Sequence, residues 1–292
     1  MRVLVIGGGG FIGRHLVEGL RAGSMEVAVM SSREGTGIDV ASGYLRPDFA
    51  IPPGTEVVYY LAASPAHKDN LHRIEHLFAV NAASAIAVGS RAFAAGVRRV
   101  VYASTGNVYG PSFSPMAEDA PVRRDNAYAL SKIHAEEALA LFRPDMEVVI
   151  ARLFGVYGPG QTNRLVPNLV ESVHVARKVI VQRNPNDPSD IGGLKLSLCH
   201  VDDVVTILAR LGTEGGPPCI NVASGEVVNV RQIADAAGGL LGRRALIEFA
   251  DQPRAFDLIA DNSLLRRTHQ HRFTPFAQGI EGTVRAGAHT DA

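Results

Sequence analysis

The sequence has no tryptophan, only two cysteines and no excess of charge of either sign. Cys199 and Cys219 form neither a CxxC motif nor a Cys/His spacing typical of zinc, so we expect no disulfide framework and no metal site. The 29 basic residues equal the 29 acidic ones, which removes the usual electrostatic reason to expect a nucleic acid or an anionic membrane as partner. No apolar run reaches the roughly 18 residues of a membrane span, and no signal-type segment occurs. We therefore predict a cytoplasmic protein with neither a nucleic acid nor a membrane as partner.

What the sequence does contain is an alternation of short apolar runs with longer stretches of helical period. The apolar runs are nearly continuous, as in parallel strands that are covered on both faces. The first half of the chain predicts strands at 2–6, 26–30, 57–61, 98–103 and 147–153, and helices at 11–22, 81–95 and 127–142. This alternation is typical of an α/β fold with a doubly wound parallel (Rossmann) sheet.

The pattern becomes irregular after about residue 155. Helices are predicted at 163–177, 201–211 and 229–241, and strands at 196–199 and 219–222. The stretch 184–193 is rich in turn-forming residues and is predicted to be a loop.

A glycine-rich loop joins the first predicted strand to the first predicted helix. Gly7, Gly10 and Gly13 have the spacing GxxGxxG. Glycine permits the tight turn, lets the backbone approach a pyrophosphate and lets the helix pack near its strand. The start of the helix then presents N–H groups and a positive dipole end to the phosphates. In this strand–turn–helix setting, the loop is predicted to bind a dinucleotide.

The end of the second predicted strand bears on the choice of dinucleotide. Ser31, Ser32 and Arg33 stand where NAD-binding sheets usually place an acidic residue. An arginine with small hydroxyl residues accommodates a 2′-phosphate, which favours NADP; the alternative is that Arg33 is a solvated loop residue. Asp39 is a candidate for hydrogen bonding to the adenine amine, or else a turn-forming residue.

Tyr128 and Lys132 lie four residues apart in the predicted helix 127–142, so both project from one helical face. A nearby ammonium favours the phenolate and lowers the pKa of the tyrosine, which allows the phenol to exchange a proton with an alcohol or carbonyl oxygen. Ser104 and Thr105 follow the strand 98–103, at the carboxyl edge where such sheets place their chemistry. A hydroxyl there is a candidate to bind the substrate oxygen beside Tyr128.

Taken together, these residues resemble the extended short-chain dehydrogenase/reductase family of NAD(P)-dependent sugar epimerases and dehydratases. The resemblance covers nearly the whole chain. The matching segments are GGGGFIG at 7–13, LAA at 61–63, Asn81, YASTGNVYG at 102–110, YALSK at 128–132, RLFGVYGPG at 152–160, HVDDV at 200–204 and NVASG at 221–225.

The resemblance implies a role for each matched residue. Tyr128 is the acid/base, Lys132 holds the nicotinamide ribose and lowers the Tyr128 pKa, and Thr105, with Ser104 just before it, binds the reacting oxygen. The cofactor is held by the loop and the LAA segment, through Gly7, Gly10, Phe11, Ile12, Gly13, Leu61, Ala62 and Ala63.

The sequence departs from the family pattern at several positions. Gly106 and Asn107 replace the Asp-Glu pair of sugar-nucleotide 4,6-dehydratases, so dehydration is not expected, and Asn107 becomes a candidate substrate contact. Gly155 and Leu196 replace an asparagine and an arginine that often contact the substrate phosphates. Arg254, in a segment similar to the family's RPGD region, is a candidate to supply one cation; the alternative is a surface residue.

We therefore expect a dinucleotide-binding domain at 1–153, which 196–222 rejoins, and a discontinuous substrate-binding domain within 154–292. The expected function is that of an NAD(P)-dependent sugar-nucleotide epimerase or 4-ketoreductase that uses a tyrosine as acid/base. The alternatives are an NADP-dependent reductase of a non-nucleotide alcohol or ketone, and a non-catalytic NADP sensor. The resemblance further implies a homodimer built from the helices 81–95 and 127–142.

Overall fold

The computed structural model describes residues 1–31, 35, 37–65 and 71–288. The strands in chain order are β1 (Arg2–Ile6), β2 (Glu26–Met30), β3 (Thr55–Tyr60), β4 (Arg99–Thr105), β5 (Glu147–Leu153), β6 (Val156–Tyr157), β7 (Val179–Val181), β8 (Lys195–Ser197), β9 (Cys199–His200), β10 (Cys219–Val222), β11 (Val227–Asn229) and β12 (Ile247–Phe249). The helices are α1 (Phe11–Ala22), α2 (Ile74–Phe78), α3 (Ser84–Ala94), α4 (Ala127–Ala140), α5 (Leu165–His174), α6 (Val201–Thr213), α7 (Val230–Leu241), α8 (Ser263–Thr268) and α9 (Phe276–Ala288).

Six strands form one parallel sheet in the order β2–β1–β3–β4–β5–β10. Helices cover both faces, and every residue of β4 is buried. One core lies between the sheet and the helices α1 and α6, and the other lies between the sheet and the helices α3 and α4. The predicted doubly wound α/β fold is therefore confirmed.

The order of the strands positions the site. The chain reverses its direction of winding around β1, because β2 lies on one side of it and β3 on the other. Ligands of open parallel sheets bind outside the carboxyl ends of the strands at such a switch point. The glycine loop, residues 61–63 and Thr105 all lie at these carboxyl ends.

The helix predicted at 81–95 begins earlier, at Ile74, and runs to Ala94 through a π-helical turn at Ala79–Ala83. Asn81 lies in this turn and does not open the helix. Its side chain accepts a hydrogen bond from the Ser64 backbone N–H at 3.0 Å and donates one to Ser131 Oγ at 3.0 Å. The buried asparagine therefore joins the loop after β3 to α4. The same helix is long and apolar enough to cross a membrane, but 56% of its most apolar window is buried inside the protein.

A third core lies outside the large sheet. It joins the helices α5, α7 and α9 to small two-stranded pairings, which are β7 with β12 and β8 with β11. Its helix α7 begins with a capping box, in which Asn229 Oδ1 accepts from the Gln232 N–H and the Gln232 side chain accepts from the Asn229 N–H. The strand β10, from within the predicted segment 196–222, lies in the large sheet beside β5. The division into domains at residue 153 stays a prediction.

Candidate active site

The glycine loop has a backbone that only glycine permits. Gly7 has a φ of +85°, and a Cβ on it would lie 2.6 Å from the Ala62 nitrogen. A Cβ on Gly13 would lie 2.2 Å from the Gly7 carbonyl oxygen. Gly10 occupies the N-cap of α1, where it has no side chain to cover the first N–H groups of the helix. These features fit a dinucleotide, because its pyrophosphate binds at an uncapped helix N-terminus approached by bare backbone.

Only some of the residues predicted to contact the 2′-phosphate and the adenine of the cofactor lie among the described residues. Ser31 is buried at the end of β2, whereas Ser32 and Arg33 lie outside the described residues. Asp39 Oδ1 accepts hydrogen bonds from the Ser42 N–H and hydroxyl, both at 2.8 Å. These bonds lower the pKa of Asp39 and match the turn-forming alternative. Its contact with adenine stays a prediction.

Thr105 and Tyr128 meet at the carboxyl end of β4. Thr105 is its last residue, and Tyr128 lies in the first turn of α4, where Asn126 Oδ1 caps the helix by accepting from the Ala129 N–H at 3.0 Å. The Thr105 hydroxyl forms a hydrogen bond with the Tyr128 phenol. It also accepts from the backbone N–H and the side-chain Nδ2 of Asn107, each at 3.2 Å. Asn107 is exposed and orients the threonine, and its contact with substrate stays a prediction.

The electrostatics of Tyr128 differ from the sequence-based expectation. Burial raises the pKa of the phenol, opposed by the hydrogen bond of Thr105 and the charge of Arg164. The expected lowering by Lys132 is wrong for this structure because the ammonium is directed elsewhere. Lys132 Nζ donates to the Ala103 carbonyl at 2.9 Å and lies 4.7 Å from the centre of the Tyr102 ring.

Lys132 is almost completely buried, with 3% of its surface exposed. Burial lowers the pKa of its ammonium to about 7, and the negative charge of Glu136 opposes the shift. Ser104, the other predicted hydroxyl, donates to Glu136 Oε1 and is buried. The structure thus joins Thr105 to Tyr128 and places Ser104 in a separate contact with a carboxylate.

Two of the positions that depart from the family pattern, Gly106 and Gly155, are closely packed. A Cβ on Gly106 would lie 2.7 Å from the ring of Phe154, whose side chain is fully buried. A Cβ on Gly155 would lie 2.6 Å from the Leu198 side chain. Neither an acid at residue 106 nor an asparagine at residue 155 fits unless these neighbours move.

Arg254 lies in a buried cluster of charges, not on the surface. Its Nε donates to Asp257 Oδ1 at 2.7 Å, and its Nη2 donates to Asp190 Oδ2 at 2.6 Å. Its Nη1 donates to the Gln182 carbonyl at 3.4 Å, and Lys195 Nζ lies 2.9 Å from Asp190 Oδ2. Every guanidinium nitrogen therefore has an acceptor within the chain, which argues against the predicted phosphate contact.

Hydrogen bonds connect the segment 112–125, beside the site, to other parts of the protein. Arg152 Nη1 donates to the Glu118 carbonyl at 2.9 Å, and Glu118 Oε1 accepts from the Asn221 N–H at 2.8 Å. The Met116 N–H donates to the Ile259 carbonyl at 2.9 Å. These bonds tie the segment to β5, to β10 and to the stretch before α8.

Sequence reasoning did not identify the contributions of Glu136, Arg164 and Phe154 to the site. It also did not predict the ion pair of Arg152 with Glu136. Glu136 had a usable signal, because it follows Lys132 by one helical turn on the same face. The contacts of the other three cross between elements distant in sequence. Among the described residues, no group of three or more His, Cys, Asp or Glu side chains is arranged to hold a metal ion.

The chain matches proteins of known activity over most of its length. The sequence model of the family described as NAD dependent epimerase/dehydratase matches residues 3–229. A UDP-glucose 4-epimerase of Mycolicibacterium smegmatis is 30% identical over 88% of this chain and 88% of its own. A dTDP-4-dehydro-6-deoxy-D-allose reductase of Streptomyces is 26% identical over 97% of this chain and 95% of its own. The solved structure of TunA, an NAD-dependent NDP-hexosamine 5,6-dehydratase, superposes with a TM-score of 0.81 at 26% identity and covers 100% of this chain and 99% of TunA.

The chain therefore belongs to the NAD-dependent epimerase/dehydratase family. It is an NAD(P)-dependent enzyme of the epimerase and oxidoreductase type, and its resemblance to the extended short-chain dehydrogenases is confirmed.

Proposed function

We propose that this enzyme is a sugar-nucleotide epimerase or 4-ketoreductase in which Tyr128 exchanges a proton with a sugar hydroxyl or ketone oxygen. One observation carries the proposal: the hydrogen-bonded hydroxyls of Thr105 and Tyr128 lie at the same edge of the sheet as the glycine loop. The similarity to an epimerase and a reductase of nucleotide sugars supports the substrate class.

Each side chain then has a defined task. Thr105, held by Asn107, donates a hydrogen bond to the reacting oxygen, while Tyr128 removes its proton or returns it. Lys132 holds the nicotinamide ribose as a buried hydrogen-bond donor. When bound, the cofactor supplies or accepts a hydride at the carbon that carries this oxygen.

The test is a screen of nucleotide sugars with two readouts, the absorbance of the reduced cofactor and the identity of the product. A 4-epimer of unchanged mass with no net cofactor consumption identifies an epimerase, whereas stoichiometric oxidation of the reduced cofactor identifies a reductase. Tyr128→Phe is expected to lower turnover by about 10²-fold or more and to leave cofactor affinity unchanged. Tyr44→Phe, at a half-exposed tyrosine outside the site, is the matched control. Wild-type turnover in Tyr128→Phe would exclude the proposed role.

A second candidate, the reduction of a non-nucleotide alcohol or ketone, is favoured by the closely packed Gly155 and the internally paired Arg254. Binding isotherms separate the two: the nucleotide-sugar proposal fails if no nucleoside diphosphate competes with substrate. A non-catalytic sensor needs no acid/base pair, so the presence of Tyr128 and Lys132 argues against it.

We also propose NADP as the preferred cofactor, on the grounds of Ser31, Ser32 and Arg33. A guanidinium–phosphate contact is worth roughly ten- to a hundredfold in affinity. Calorimetric titration is expected to show tighter binding of NADPH than of NADH, and Arg33→Ala is expected to remove most of the difference. Arg21→Ala, at an exposed site on α1, should leave it intact. Equal or tighter binding of NADH by the unmodified protein would refute the preference.

The proposed assembly is a homodimer through α3 and α4. The outward residues of α3 include Ala87, Ser90 and Ala94, which permit close helix packing, and Leu141 after α4 is 80% exposed. Sedimentation analysis of the protein is expected to give twice the monomer mass. Ser90→Arg should reduce it to the monomer mass, and a monomeric unmodified protein would refute the assembly.

A further inference from the structure

A buried network of charged side chains begins one helical turn after Lys132 on α4. Glu136, one turn further along α4, is 7% exposed, and Arg152 on β5 is 8% exposed. Arg152 Nη2 lies 2.6 Å from Glu136 Oε2, and its Nε lies 3.2 Å from both carboxylate oxygens. A buried carboxylate needs such compensation, because desolvation of an unpaired charge is costly.

Lys132 and Glu136 form hydrogen bonds with adjacent residues of β4. Lys132 Nζ donates to the carbonyl of Ala103, and the hydroxyl of the next residue, Ser104, donates to Glu136. Ser104 is also paired in register with Arg152 across the sheet. The ammonium, the strand and the carboxylate therefore form one continuous set of contacts.

From this arrangement we infer that Glu136 is a positioning residue, which holds the Lys132 ammonium charged and in place through its negative charge and its bond to Ser104. The inference rests on the proposed role of the Tyr128–Lys132 pair. It assigns to the Glu136–Arg152 pair a task beyond joining α4 to the sheet. Burial disfavours the charged form of Lys132, and Glu136 is the charge that opposes this.

In the described part of the chain, Glu136 is the acidic residue that favours the charged form of Lys132. The titratable and charged groups that face the network are Tyr128 and Glu136 on α4, Tyr102 on β4, Tyr60 on β3, Arg152 on β5, Cys219 on β10, and Tyr109 and Glu118 in the stretch after β4. Burial raises the pKa of both thiol and phenol groups here, so these stay neutral near pH 7.

The small number of lysines allows a direct test that does not depend on activity. The chain has four lysines, at positions 68, 132, 178 and 195. Protein labelled with ¹³C-lysine therefore gives few Cε signals, and Lys132→Met identifies the signal of Lys132. Its titration midpoint is expected near pH 7 in the unmodified protein.

Glu136→Gln is expected to move this midpoint down by about one pH unit or more, because an adjacent opposite charge typically shifts a pKa by roughly 1–3 units. The alkaline limb of the pH profile of turnover should move with it, and Glu136→Asp should restore part of the shift. Glu137→Gln is the matched control, since Glu137 is the adjacent exposed glutamate and pairs with Arg124 at the surface. A purely structural role would lower the denaturation midpoint without moving the titration.

If Glu136→Gln does not fold, the double variant Glu136→Gln/Arg152→Met removes both buried charges and keeps the test open. A smaller downward shift is expected in it, because the positive charge of Arg152 is lost together with the negative charge of Glu136. An unchanged Lys132 midpoint in either variant would overturn the inference. Failure of the proposed function is a separate result, namely wild-type turnover in Tyr128→Phe.

Discussion

Replacing Arg254 with leucine separates two roles for this residue, a substrate contact and a structural ion pair. The structure surrounds the guanidinium with Asp190 and Asp257, whose side chains are 5% and 2% exposed. Arg254→Leu removes the cation and leaves two buried carboxylates, of which Asp190 keeps its ion pair with Lys195. Breaking a buried pair in this way costs about 3–5 kcal/mol.

The pH dependence of stability follows from the same cluster. Burial opposes ionisation of Asp190, but hydrogen bonds from Lys195 and Arg254 lower its pKa from 3.8 to about 2. A pKa that is depressed in the folded state stabilises the protein above the unfolded value, and this stability is lost as the pH falls through the folded value. Asp190 therefore contributes about 2 kcal/mol above pH 4, which declines towards pH 2. In Arg254→Leu this contribution should shrink, because one of its two main causes is gone.

The assay is urea denaturation at pH 7 and pH 3, followed by far-ultraviolet circular dichroism, beside calorimetric titration of the nucleotide sugar. Arg285→Leu is the control, because Arg285 is 80% exposed and pairs with Glu281 at 3.4 Å. Such a surface pair is worth less than about 1 kcal/mol. An unchanged denaturation midpoint in Arg254→Leu, with affinity for the sugar nucleotide reduced at least tenfold, would refute the reasoning and restore the phosphate contact.

Two further predictions concern the backbone. Gly7→Ala combines an unfavourable φ with a clash against Ala62, and we expect cofactor affinity, measured by fluorescence titration, to fall at least tenfold. Gly54→Ala, with a φ of +76° in open space, should lower only stability, so an equal loss of affinity in it would contradict the close approach at Gly7. Asn229→Ala should lower the free energy of unfolding by about 1 kcal/mol through loss of the α7 cap, measured by urea denaturation. Asn168→Ala on the exposed face of α5 should change it by less than about 0.5 kcal/mol, and equal losses would mean that the cap is not the cause.

The fold and the local motifs could be predicted because their signals lie within short segments. The spacing of the glycines alone indicates the backbone conformation on which the function of the loop depends. A spacing of four residues places Tyr128 and Lys132 on one helical face. The start of the helix at Ile74 could not be predicted, because the π-helical turn adds a residue and breaks the period of 3.6. The pairing of Arg254 with Asp190 joins residues 64 positions apart, so no local pattern indicates it. The raised pKa of Tyr128 comes from burial, which is a property of the assembled fold.

The contact between Gly106 and Phe154 constrains how descendants of this chain could acquire a new reaction. An acid at position 106 is one route to an elimination chemistry, but any side chain there meets the buried aromatic ring first. Replacement of Phe154 by a smaller residue is one way to make room for an aspartate at position 106. That replacement leaves a cavity beside Tyr109 and costs about 3–5 kcal/mol if it is Phe154→Ala, with no gain in activity. A stabilising substitution elsewhere in the chain would offset this cost.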